Sequence, residues 1–118
     1  MSQANYSIET VVSSGIKVVT GKVSVTSNAS SPDSGSRFEV GDFSSGKCEI
    51  TLNDSYSTLL FAQASSIDNT TNYDNYFRIH EVNLGSNPAT ITVACHDAGG
   101  NDVQPGTTEF SFLFLLVE

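Results

Sequence analysis

The stretch Glu109-Phe110-Ser111-Phe112-Leu113-Phe114-Leu115-Leu116-Val117-Glu118 decides how this chain folds. Successive side chains of a strand point to opposite faces. Phe110, Phe112, Phe114 and Leu116 therefore share one face, and Ser111, Leu113, Leu115 and Val117 share the other. A strand with one wet face alternates apolar and polar residues, and this one does so only at its start. One apolar face fills the chain's own core. The other needs a second cover, and in a chain of 118 residues the expected cover is another subunit. Leu113, Leu115 and Val117 are the predicted oligomer-interface residues.

Seven further segments carry β-branched or aromatic residues with partial period-2 alternation. With the closing stretch, the predicted strands are 5–12, 17–26, 37–42, 47–52, 58–64, 76–82, 90–96 and 109–117. The breaks between them hold turn chemistry. These are Ser13-Ser14-Gly15, a polar loop over 27–36 with Pro32, Asp33 and Gly35, and Ser44-Ser45-Gly46. A long loop follows over 68–75, then Gly85-Ser86-Asn87-Pro88 and a connection over 97–106. The stretch 56–65 also fits a helical period, but the turn signals on either side favour a strand. Short strands at this spacing predict one all-β domain over 1–118, an eight-stranded, jelly-roll-like β-sandwich. The polar residues 1–7 read either as an extended arm or as a free terminus.

The composition agrees. Only 15% of residues are charged, so Ser, Thr, Asn and Gly solvate the surface, which suits strands joined by uncharged polar loops. Thirteen acidic residues against 5 basic give a net charge of −8. This argues against a nucleic-acid surface and against an anionic membrane. No basic stretch leading into an apolar one is visible at the start, and no apolar run reaches the roughly 20 residues that span a bilayer. Synthesis and folding in a cytoplasm are expected.

Catalysis needs a nucleophile, base or metal held by partners. The sequence holds no nucleophile elbow, zinc-protease helix or phosphate loop, and an enzyme is not expected. His80 reads as a surface or interface residue. In its strand, Phe77, Ile79 and Glu81 are expected on one face and Arg78, His80 and Val82 on the other. Cys48 and Cys95 share parity with Ile50 and Val93, so both point inward, as two reduced core thiols or as one disulfide joining two sheets. His96 is expected on the opposite face from Cys95, so metal binding by these residues is not expected. The stretches 97–102 and 68–74 concentrate oxygen ligands, as a calcium site does, but the same residues also populate turns. Asn72, Tyr73, Asp74 and Tyr76 place aromatic rings beside amides and carboxylates. That set suits stacking on a sugar with hydrogen bonds to its hydroxyls, and equally a protein contact. The Asn-x-Ser/Thr sequons at Asn5, Asn28, Asn53 and Asn69 follow from a composition rich in these residues.

Three groups of residues carry a family resemblance. They are Phe38-Glu39-Val40-Gly41-Asp42, Gly46-Lys47-Cys48-Glu49-Ile50-Thr51-Leu52 and Phe61-Ala62-Gln63-Ala64. With Thr90-Ile91-Thr92-Val93, Asp97-Ala98-Gly99-Gly100-Asn101 and Phe110-Ser111-Phe112, they resemble small β-domains of tailed-phage virion proteins over about residues 37–117. Such domains are capsid decoration (cement) proteins or heads of tail and capsid fibres, and are often trimeric. The run Glu109-Phe110-Ser111-Phe112-Leu113 also resembles the last strand of trimeric tumour-necrosis-factor-like jelly rolls. It lacks the Gly that often follows their Phe-Ser pair, Phe112 standing there instead. The resemblance implies a homotrimer without cofactor, bound to the major capsid protein on the virion surface. The alternative it implies is a fibre head that binds host-surface glycan.

Overall fold

The computed structural model describes residues 15–68 and 75–118. Among these residues eight strands form, most of them built by alternation of apolar residues. They are β1 (Ile16–Thr26), β2 (Ala29–Gly35), β3 (Phe38–Val40), β4 (Lys47–Leu52), β5 (Thr58–Asp68), β6 (Tyr76–Asn83), β7 (Thr90–His96) and β8 (Thr108–Val117). The strands form two four-stranded antiparallel sheets. Sheet A has the order β2-β1-β8-β5 and sheet B the order β3-β4-β7-β6. The fold is the expected all-β sandwich.

The core lies between the sheets. Sheet A contributes Val19, Val23 and Val25 from β1 and Phe110, Phe112, Phe114 and Leu116 from β8, all buried. Sheet B contributes Cys48, Ile50 and Leu52 from β4, Phe77 from β6, and Ile91, Val93 and Cys95 from β7. Phe110 stacks on Phe77 across the sandwich at 4.7 Å between ring centroids, and Phe43 packs edge-on to Phe110 at 5.9 Å. Such pairs add to the burial of the rings themselves.

The predicted bounds of β4 and β7 hold, and β6, β1 and β8 differ by one residue. The predicted strand 5–12 lies outside the described residues. Three expectations are corrected. First, the polar loop 27–36 contains β2, which pairs with β1 from Thr26↔Ala29 to Gly21↔Gly35. Ser27 and Asn28, both at positive φ, make the two-residue turn that leads into it. As an edge strand exposed almost throughout, β2 needs no apolar face, so it carries no period-2 signal. Second, β5 runs on to Asp68 through Ser65 and Ser66, which pair with Ser111 and Phe110. Third, a bulge between Ile79 and Glu81 reverses the parity of β6 at His80. Glu81 and Arg78 therefore share a face, while Val82 pairs with Ile91 on the side of Phe77 and Ile79.

Cys48 and Cys95 both point into the core, as free thiols. They lie on paired strands of sheet B, so they cannot join one sheet to the other.

The long connection from His96 to Thr108 is tied down by amides. Gln104 donates to Phe43 O at 3.1 Å and accepts from Gly46 N at 2.7 Å. Asn28 Oδ1 accepts from Gly106 N at 2.8 Å, and buried Asn75 donates to Pro105 O at 2.9 Å.

Candidate functional site

The outer face of sheet A is built around β8. Its register with β1 and β5 sets each outward residue between two neighbours. Val117 lies between Ile16 and Thr58, Leu115 between Val18 and Phe61, and Leu113 between Thr20 and Gln63. Ser111 follows between Lys22 and Ser65, and Glu109 lies beside Ser24. The face thus grades from apolar at one end, through hydroxyls and an amide, to charge at the other.

Leu113, Leu115 and Val117 share this face, as the sequence predicts, and each is half-buried by its lateral neighbours. Val18 and Phe61, which flank Leu115, are each 43% exposed. Phe61 reaches this face through a bulge. Leu59 pairs with Leu116 on the inner side, Leu60 is the extra residue, and Phe61 pairs with Leu115 on the outer side. Regular alternation would have put Phe61 in the core, which is why the run Leu59-Leu60-Phe61 gave no sign of an outward ring.

Beside the apolar end lies a shallow depression of about 270 Å³, lined by Thr20, Gln63, Ser65, Ser111, Phe112 and Leu113. Thr20 Oγ1 donates to Phe112 O at 2.8 Å, and Gln63 Nε2 donates to Ser65 Oγ at 3.3 Å. These polar groups are partly satisfied within the sheet. Charge is confined to the margins, where Lys17 pairs with Glu118 at 3.3 Å and Lys22 with Glu109 at 3.0 Å.

The other predicted contact residues lie elsewhere. Tyr76 is on the outer face of sheet B, on the far side of the sandwich, and is 46% exposed. Its ring stacks on His96, its cross-strand partner, at 5.6 Å and 21° between planes. Asn72, Tyr73 and Asp74 lie outside the described residues. His96 faces away from Cys95, as predicted, and its Nδ1 lies 2.9 Å from Asp97 O.

The acidic turn after β7 is internally committed. Asp97 Oδ1 accepts from the backbone N–H groups of Gly99 and Asn101, each at 2.9 Å. The bond from Asn101 is foremost in holding the Asp97 carboxyl below its usual range. Asp102 accepts from Lys47 Nζ at 2.8 Å and from Arg78 at 3.0 Å, and these bonds lower its carboxyl in turn. Among the described residues no group of three or more His, Cys, Asp or Glu side chains could hold a metal ion. Among the same residues no helix is long and apolar enough to cross a membrane.

The chain matches no family model, no curated protein and no solved structure.

Proposed function

We propose that this chain is a non-enzymatic structural protein that self-associates through the outer face of sheet A and acts as a capsid decoration (cement) protein of a tailed phage. The observation that carries the assembly part is the row Val18, Leu115, Phe61, with Leu113 and Val117 beside it. Apolar side chains in one contiguous patch are a feature of interaction surfaces. The virion part rests on the resemblance carried by residues 37–117. The pairing of β1 with β8 outside that of β4 with β7 in the chain supports reading the sandwich as jelly-roll-like.

The proposed mechanism is adhesive. Apolar faces close a homotrimer, and its loops dock on the major capsid protein, tying neighbouring subunits together. Light scattering at micromolar concentration should then give a multiple of 12.5 kDa. The double change Leu113→Asp with Leu115→Asp should return the particle to single chains, because it would bury unpaired carboxylates in the contact. A wild-type protein that stays monomeric would rule the assembly out. Capsids lacking the protein should bind it and gain resistance to heat or pressure, and failure to bind would remove the cement role.

Tyr76 supports a second reading, a fibre head that recognises glycan. Its half-exposed ring stacked on His96 offers an aromatic platform of the kind that sugar C–H faces cover. A glycan-array signal that disappears in Tyr76→Ala would favour this reading over cement. No signal from the wild-type protein would exclude it.

A further inference from the structure

β1 is paired on both sides over only part of its length. β8 pairs with it from Ile16 to Val25, but β2, on the other side, reaches no further than Gly21↔Gly35. Among the described residues no strand pairs with the β2 side of 16–19. The backbone there is aimed at that side. Successive residues of a strand turn their N–H and C=O groups to opposite edges. The two-residue turn Ser27-Asn28 closes on Thr26 and Ala29, so Thr26 faces β2. β1 pairs with β8 without a bulge, so the alternation carries back from Thr26 to Val18 and Ile16, which face the same way. In agreement, Gly15 faces β8, its carbonyl accepting from Glu118 N at 3.4 Å.

The residue before β1 has the geometry of a hairpin loop. Gly15 sits at φ +88°, with nothing within 4 Å of where a Cβ would stand, so no crowding selects glycine there. The positive φ itself does. A three-residue hairpin loop is a type I turn followed by one residue in the left-handed region, and Ser13-Ser14-Gly15 supplies that sequence. Such a loop sets Val12 opposite Ile16 as the closing pair, which is the residue whose backbone faces the uncovered side.

The segment before the loop, 5–12, has the period-2 pattern of a strand. Counting from Val12↔Ile16 puts Val11 opposite Lys17, Thr10 opposite Val18 and Glu9 opposite Val19. The pairing stops where β2 starts, since Gly35 stands against Thr20 O. In this register Val12 and Thr10 fall on the outer face beside Ile16 and Val18, and Glu9 turns inward. Glu9 is the one charged residue in 1–15, and an inward-turned charge is a device that keeps an edge strand from recruiting another. The short tether selects the occupant. A segment joined to this edge by three residues meets it at a far higher effective concentration than any second molecule does.

We infer that residues 9–12 fold back on 16–19 as a β-hairpin closed by Ser13-Ser14-Gly15, completing the β2 side of β1 within the same chain. The outer face of sheet A is then one strand wider at its apolar end, with Val12 continuing the row Val117, Ile16 and Thr10 the row Leu115, Val18. The hairpin is a property of the single chain and does not rest on the proposed self-association.

A pair of cysteines in the full chain tests the register. Thr10→Cys with Val18→Cys should close an intramolecular bridge under glutathione disulfide, since paired residues lie about 5.5 Å apart at Cα, within disulfide reach. Val18 is 43% exposed, so the change is tolerated, and the native thiols are buried and do not compete. Glu9→Cys with Val18→Cys puts the two thiols on opposite faces and should bridge at least roughly tenfold more slowly. Equal rates in the two variants, or no bridge in the first, would overturn the hairpin. A covalent dimer from the first variant would place the segment on another copy and overturn it too. Amide exchange gives a reading without added thiols. Thr10→Pro removes an N–H aimed at β1 and should speed exchange at Val18 by roughly tenfold. Unchanged exchange at Val18 would overturn the pairing.

Discussion

Gly21 of β1 faces Phe38 of β3 across the sandwich so closely that a methyl group on Gly21 would stand 2.5 Å from Phe38 Cζ. The same methyl would lie 3.0 Å from the ring of Phe112, against which Phe38 packs edge-on at 4.8 Å. The space above Gly21 is what lets two rings interlock there. Gly21→Ala should therefore destabilise the fold by about 1–3 kcal/mol through overpacking. Phe38→Leu in the same chain should recover part of that loss, because the two sites couple directly. Chemical denaturation of the four proteins in the cycle measures it, and a neutral Gly21→Ala would refute the packing described.

The two faces of β8 should respond differently to truncation. Phe110 is fully buried between Phe77 and Phe43, so Phe110→Ala should cost about 3–5 kcal/mol. Leu113→Ala on the outer face should cost less than about 1 kcal/mol in dilute protein, where the face meets water. If the face is covered on self-association, the Leu113→Ala penalty should grow with protein concentration. A penalty independent of concentration would count against that contact.

Asp102 links β4 to β6 through Lys47 and Arg78, over the buried side chain of Ala94. Its carboxyl is lowered by the Lys47 bond first and the Arg78 bond next. A carboxyl depressed by folding adds stability above its unfolded value, and the addition disappears as pH falls through the folded value. The contribution should be complete at neutral pH and should fade below its ordinary value of 3.8. Denaturation midpoints at pH 7 and pH 3 should show a smaller difference for Asp102→Asn than for the wild type. Equal differences would mean that the bridge adds nothing.

Burial pushes the Cys48 thiol up to about 12 and the Cys95 thiol up to about 11. The thiolate is the reactive form, so both should resist a disulfide reagent at pH 8 until the chain unfolds. An acid whose folded value is raised leaves stability intact below the unfolded value and subtracts from it above. These thiols should therefore weaken the fold as pH rises beyond about 9, where unfolded thiols begin to ionise. Replacing both with Ala should flatten that alkaline loss, and fast labelling of the native protein would contradict their burial.

What was legible in the sequence was whatever alternates without interruption. Phe110, Phe112, Phe114 and Leu116 are separated cleanly from Leu113, Leu115 and Val117 because β8 has no bulge against β1. Val82 was misplaced because a single inserted residue reverses every later side chain of β6, and the same device in β5 turns Phe61 outward, a facing that the sequence reading left unassigned. β2 was missed because an edge exposed on both sides leaves residue choice unconstrained by burial. Cys48 and Cys95 were assigned inward by parity, but their position in one sheet depends on strand order, which no local pattern encodes. The outer apolar row was half visible: Leu113 and Leu115 were in plain sight, whereas Val18 and Phe61 joined them only through registers between distant segments.

Those registers have a kinetic consequence. Ile16 pairs with Val117, and β8 is the strand that holds β1 and β5 in one sheet. Until β8 docks, β1 and β5 have no common neighbour, and the Phe side chains at the centre of the core are absent. Nearly the whole chain must be ordered before those contacts repay its loss of freedom. The molecule should accordingly fold slowly and in one step, with little native structure in any fragment that lacks residues 108–117.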